Sequence, residues 1–209
     1  MPDWLVSSTF YGQWLPGDPR GCVTNVRDSL APVRVEHSES GEDYDTWMEG
    51  LWRASEDQLK GAPVVLDLPM AEQLLEQFQE TSRHRGWVLQ AVSIMFNHSH
   101  LLVEAAREFG KKELLRDYKS YGSRRLNERY GPRESGTWWT ESGSARVVRR
   151  RLAAHFYVCH RQPKPLLIWC AVRGRIAPSE SDPANRYPGD YWLERWVARM
   201  ASPQGEPPA

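Results

Sequence analysis

The chain is poor in sulfur and has no long apolar run. Its 209 residues hold three cysteines, Cys22, Cys159 and Cys170. An odd, widely spaced set cannot make a paired disulfide framework and lacks the CxxC spacing of a zinc site. No stretch approaches the roughly 20 apolar residues of a membrane span, and the N-terminus carries no basic-then-apolar signal. The expectation is therefore a reduced, cytoplasmic protein with no membrane partner. GxxxxGK[ST], GxGxxG and GxSxG are missing too, which sets aside nucleotide hydrolysis, dinucleotide binding and serine-hydrolase chemistry. Net charge is also missing: Lys+Arg and Asp+Glu both total 27.

That neutrality hides a segregation. Residues 36–80 carry twelve acidic side chains against Arg53 and Lys60, whereas residues 105–175 carry seventeen basic against six acidic ones. A chain that gathers its positive charge in one third of its length can present a local phosphate-binding surface; solvated helices with ordinary surface cations would leave the same pattern. The hydrophobic fraction of 40% suffices for a core, and the length fits one domain with extensions or at most two small ones.

Periodicity predicts a first strand over 4–11, followed by turn chemistry from Gln13 to Gly21. Residues 36–60 read as an acidic, aperiodic loop or insertion. Ala71, Leu74, Leu75 and Phe78 recur at helical spacing, predicting a helix over 69–84 that Gly86 stops. Trp87–Ile94 and His98–Val103 read as neighbouring antiparallel strands. A second helix is expected over 108–129 and a third over 147–161, ended by Pro163. A short helix over 191–200 and a disordered tail from 201 complete the chain. The order β–α–β–β–α–α points to an α+β fold with helices on an antiparallel sheet.

Two places can carry chemistry. His98 and His100 alternate with Ser99 on a strand, so both imidazoles project from one face and can share a divalent cation. Two histidines on an edge strand would look the same, and a third ligand has to come from elsewhere. Tyr157 is the second place. The wheel puts Val148, Leu152, His155 and Cys159 on the buried side and Tyr157 opposite, beside Arg150 and Arg161. A phenol so placed can act as a nucleophile toward a phosphodiester, or be an ordinary half-buried tyrosine. Lys112, Arg116 and Lys119 form a cationic stripe, and Lys119, Arg124 and Arg125 are candidate phosphate contacts. Among ten tryptophans, Trp14, Trp138 and Trp139 lie in turn-rich sequence and are candidates for stacking on unpaired bases.

Taken together these residues resemble a known family. Asn97-His98-Ser99-His100-Leu101-Leu102-Val103 resembles the NHVHLLV signature of HUH endonucleases, specifically single-tyrosine transposases and their REP-associated relatives. Tyr11 to Gly21 (YGQWLPGDPRG) resembles the opening of one transposase-like subgroup. Tyr118-Lys119-Ser120-Tyr121 through Leu126, Trp139 to Arg146, and Tyr157-Val158 with Gln162 are similar to later family motifs in the same order. The resemblance covers most of residues 4–170. It implies a ferredoxin-like sandwich spanning 1–175, with 176–209 as a C-terminal extension. It also implies magnesium or manganese held by His98, His100 and a third residue, and single-stranded or hairpin DNA as partner. Tyr157 would attack to leave a 5′-phosphotyrosine and a free 3′-hydroxyl. The family pattern selects Gln162 as third ligand, with His160 the alternative nearer in helical phase. Arg146 and Arg150 join the expected DNA contacts, in a monomer or homodimer. Ser99 departs from the family, whose middle residue is apolar; it turns a hydroxyl toward the core that needs a partner.

Overall fold

The computed structural model describes residues 1–18, 49–141, 143–162 and 164–176. The elements run β1 (Asp3–Thr9), α1 (Glu49–Asp57), α2 (Leu68–Arg85), β2 (Val88–Ile94), β3 (His98–Glu104), α3 (Lys111–Tyr130), β4 (Ser144–Val148), α4 (Arg151–His160), β5 (Leu167–Cys170) and β6 (Gly174–Ile176). The strands form one six-stranded antiparallel sheet in the order β4-β1-β3-β2-β5-β6. Its first four strands, with α2 and α3 between them, follow the βαββαβ path of a ferredoxin-like sandwich. Among the described residues no helix is long and apolar enough to cross a membrane.

Local chemistry explains the helix ends. Asp67 caps α2 by accepting from the Met70 amide at 2.8 Å, and Pro69 sits in its first turn, where no amide hydrogen is needed. Gly86 ends α2 in the left-handed region at φ 68°, open to glycine at little cost. At the start of α3, the Glu113 carboxylate accepts from the Gly110 amide at 3.1 Å.

The sheet is covered on both faces. Val6, Ile94, Leu101 and Val103 point toward α2 and α3, where they pack with Leu74, Phe78, Leu114, Tyr118 and Leu126. Leu102, Ala91, Ile168 and Cys170 point the other way and pack under Ala154, Val158 and Cys159 of α4. A register shift at Gln90 makes this partition possible in β2. Without that extra residue, Leu89 and Ala91 would share a face; with it, Ala91 and Ser93 turn toward α4. Arg151 docks the start of α4 on the sheet by ion pairs to Asp3 at 2.9 Å and Glu104 at 2.6 Å.

Several expectations need correction. Residues 49–57 are helical rather than loop, and residues 36–48 lie outside the described ones. The helix expected over 147–161 is two elements: Val147 and Val148 belong to β4, an edge strand paired with β1. Branching at Cβ stiffens both valines toward extended backbone, and β1 supplies the hydrogen bonds. Two further strands, β5 and β6, follow where none was expected. The inner face of α4 is Ala154, Val158 and Cys159, whereas Leu152 is exposed. Residues 191–209 lie outside the described residues. Truncating Phe78 of α2, which is fully buried against Tyr118 of α3, to alanine should cost about 3–5 kcal/mol in urea denaturation.

Candidate active site

The site is built on the β1–β3 pairing. In that register Ser7 lies across from His100 and Thr9 across from His98. Strand alternation turns all four side chains to the face that α4 covers. The Ser7 hydroxyl bonds His100 Nδ1 at 2.7 Å, and Asn97 Oδ1 lies 2.6 Å from His98 Nδ1. Each ring is thus oriented through its Nδ1, leaving Nε2 as the atom suited to a ligand. The two imidazoles stand 4.9 Å apart between centroids. Burial holds the His100 imidazole down at about 4, so this ring is neutral at physiological pH and keeps a lone pair for ligation.

Tyr157 reaches the same place from α4. Its ring centroid is 5.3 Å from that of His100, in an edge-on arrangement, and it is 38% exposed. It therefore sits at the margin of α4, beside the buried Val158, rather than diametrically opposite the apolar face. Gln162 lies beyond the end of the helix and is buried. Its amide nitrogen donates to the Tyr157 carbonyl at 3.1 Å, which leaves the side-chain oxygen, the ligating atom of an amide. His160 is exposed on the outer side of α4, with its ring 5.1 Å from that of Phe156.

Two imidazoles and an amide oxygen are a donor set that suits a hard or borderline divalent ion. Ser93, across from His100 on β2, is fully buried with a hydroxyl that meets no protein partner, a polar group consistent with a hydrated ion nearby. Among the described residues no group of three or more His, Cys, Asp or Glu side chains could hold a metal. A third protein ligand beside the two imidazoles would have to be of another type, and the Gln162 side-chain oxygen is one such donor. Ser99 lies on the opposite face, fully buried and with no partner for its hydroxyl. It carries the desolvation cost expected of it but does not intrude on the histidine side.

The expected DNA contacts divide between the two faces. Lys112 and Arg116 are exposed on α3, across the sheet from the histidines, and Arg116 pairs with Asp117 at 2.8 Å. Arg124 stacks over Tyr121 at 5.2 Å, and Arg125 pairs with Glu80 at 3.1 Å. Arg146 is exposed on β4 in register with Leu5, on the histidine side, and Arg150 is exposed just before α4. Lys119 joins the two regions. It donates to the Thr140 carbonyl at 2.6 Å, and Thr140 bonds Thr9 through both backbone and hydroxyl. Trp138 and Trp139 are not stacking platforms: both are buried, with indole N–H groups bonded to Asn127 at 2.7 Å and to the Lys119 carbonyl at 3.1 Å. Sequence reasoning missed Ser7 and Thr9 as site residues; their alternation on a strand next to the histidine strand is the signal that would have found them.

Residues 62–150 match the family described as "Transposase IS200 like". That segment, somewhat under half of the chain, is what resembles an IS200-like transposase; it includes His98 and His100 and ends before Tyr157. No curated protein matches the chain. Among solved structures, the chain is similar to a candidate transposase of Deinococcus radiodurans R1 at 13% identity and a TM-score of 0.39, over 73% of this chain and 82% of that one. It is also similar to a REP-associated tyrosine transposase bound to a REP hairpin, at 9% identity and a TM-score of 0.39. That second match covers 75% of this chain and 62% of the other, so the chain spans less than two thirds of that protein's length.

Lys119 supplies a pH test of the site's periphery. Desolvation, opposed by Glu141, lowers its amine to about 8 from 10.5. The cost of burying the cation is therefore present in full below about 8 and fades as pH rises toward 10.5. Compared with Lys119→Met, the wild type should gain stability between pH 7 and pH 10, read from urea midpoints of both proteins at each pH.

Proposed function

We propose that this protein is a metal-dependent, single-stranded DNA endonuclease and strand transferase working through a 5′-phosphotyrosine. One observation carries the reading: Tyr157 and the pair His98 and His100 lie on different elements, yet their rings stand within 5.3 Å along the series. Tyr157 stands against the His100 ring and, at 38% exposure, keeps part of its own ring open to solvent.

His98 and His100, each through Nε2, and the Gln162 side-chain oxygen would hold the cation. Magnesium or manganese, when bound, supplies positive charge against a phosphate and its departing oxygen. The burial of Gln162, with its side-chain oxygen not used in the bond to Tyr157, supports it over the exposed His160. The Tyr157 oxygen attacks phosphorus as its phenolic proton leaves. The bond from phosphorus to the 3′-oxygen breaks, and that oxygen departs with the electron pair and takes up a proton. The DNA 5′ side stays on Tyr157 as a phosphodiester, so a second 3′-hydroxyl can rejoin it without a nucleotide cofactor. Arg146 and Arg150, on or beside this face, are placed to hold flanking phosphates. A hairpin next to the cut is carried over from the sequence resemblance.

The rival reading is a protein that binds DNA hairpins without cutting them. The departure of Ser99 from the family's apolar pattern would favour it, but Ser99 faces away from the histidine side of the sheet. Labelled hairpin-bearing single strands should give a covalent adduct on a denaturing gel with manganese. Tyr157→Phe should abolish that adduct, by about 10³-fold or more, and still bind the DNA. Tight binding by the wild type with no adduct in either metal would establish the rival. Neutralising Arg146 and Arg150 should also flatten the salt dependence of binding by up to roughly one unit per lost phosphate contact. Neutralising Lys112 and Arg116, across the sheet, should flatten it less, as read from binding isotherms over a salt series.

A further inference from the structure

The loop after β1 is tied down on several sides. The Tyr11 amide donates to the Trp138 carbonyl at 3.0 Å, and the Tyr11 carbonyl accepts from Val64 at 2.8 Å. The Tyr11 hydroxyl accepts from the Lys60 amide at 2.7 Å, and buried Gln13 donates to the Val64 carbonyl at 3.0 Å. Gly12, at φ 75°, lies so close to Pro63 that a Cβ would stand 2.8 Å from its Cα. The next residue but one breaks the local rule. Trp14 has φ 50°, a left-handed conformation that a bulky side chain rarely takes. A loop so firmly tied can hold a residue there, and such outliers gather where function needs a fixed geometry.

The half-buried Trp14 ring lies 5.1 Å from the His98 ring, nearly perpendicular to it at 87°. Asn97 is bonded to Nδ1 of the same imidazole. His98, unlike buried His100, lies at the open end of the site and is only partly buried. Its strand backbone fixes where the ring starts, not how it is turned about its own side-chain bonds.

We propose that Trp14 is a positioning residue, held in a strained backbone conformation so that its indole, together with the Asn97 hydrogen bond, fixes the orientation of the His98 imidazole. The inference rests on the metal-site reading above for its affinity consequence, but not for its effect on the ring.

The test uses the full chain. Trp14→Gly removes the indole and relieves the left-handed backbone together, so the loop keeps a residue suited to that φ. Trp14→Phe is the conservative partner. The His98 ring nitrogens, assigned with His98→Gln, are followed by ¹⁵N NMR without metal, and manganese affinity is measured by titration. Trp14→Gly should shift and broaden the His98 ring signals, leave those of His100 in place, and weaken manganese binding about ten-fold or more. Trp14→Phe should recover most of both. Unchanged His98 signals in a folded Trp14→Gly protein would overturn the proposal, as would equal disturbance of His98 and His100. If Trp14→Gly fails to fold, Trp14→Phe against Trp14→Leu decides on the same signals. Wild type that binds no manganese would remove the metal reading while leaving the ring measurement to decide Trp14.

Discussion

The antiparallel pairing of β1 with β3 is the constraint on which the site depends. It sets Ser7 against His100 and Thr9 against His98 and turns these side chains to one face. A slip of one residue would send both imidazoles into the apolar layer beneath α2 and α3. The register is held by that same layer. Val6, Leu101 and Val103 are fully buried on the other side of the two strands, so a slip would expose them and bury polar groups in their place. The geometry of a polar site is thereby enforced by apolar packing behind it.

α4 supplies the remaining side chain by a lighter attachment. Ala154, Val158 and Cys159 seat it on Leu102 and Ala91, and Arg151 ties its first turn to Asp3 and Glu104. Its outward side keeps Leu152 and Phe156 exposed. A helix held by one narrow apolar strip can carry a half-exposed tyrosine at the strip's margin, where it meets both the His100 ring and solvent. A more deeply buried helix could not offer its phenol to a polymer. The basic surface follows the same division, with α3 cations on one side of the sheet and Arg146 on the other.

What was legible in the sequence follows from the range of the forces involved. The α2 repeat of Ala71, Leu74, Leu75 and Phe78 and the stop at Gly86 act within a few residues, and both ends of that helix could be read. The strand pair around Asn97 was equally plain. Val147 and Val148 were misread as helix because their strand partner, β1, lies at the far end of the chain. Trp138 and Trp139 looked exposed in turn-rich sequence, yet their indoles find partners on α3. The phase of α4 was misjudged because its wheel was drawn through Val148, a residue that is not helical.

By itself, then, the sequence determined which side chains are chemically competent: two alternating imidazoles, a phenol, an amide and a concentration of guanidinium groups. It also determined the local elements that carry them, since capping and periodicity are short-ranged. Only the tertiary structure decided that the His100 ring meets Tyr157, that Gln162 is buried while His160 is exposed, and that Ser99 points away. Those outcomes depend on strand register, on the bulge at Gln90 and on which face α4 covers. Each is a contact between distant parts of the chain, selected by the burial of a shared core rather than by any neighbour in sequence.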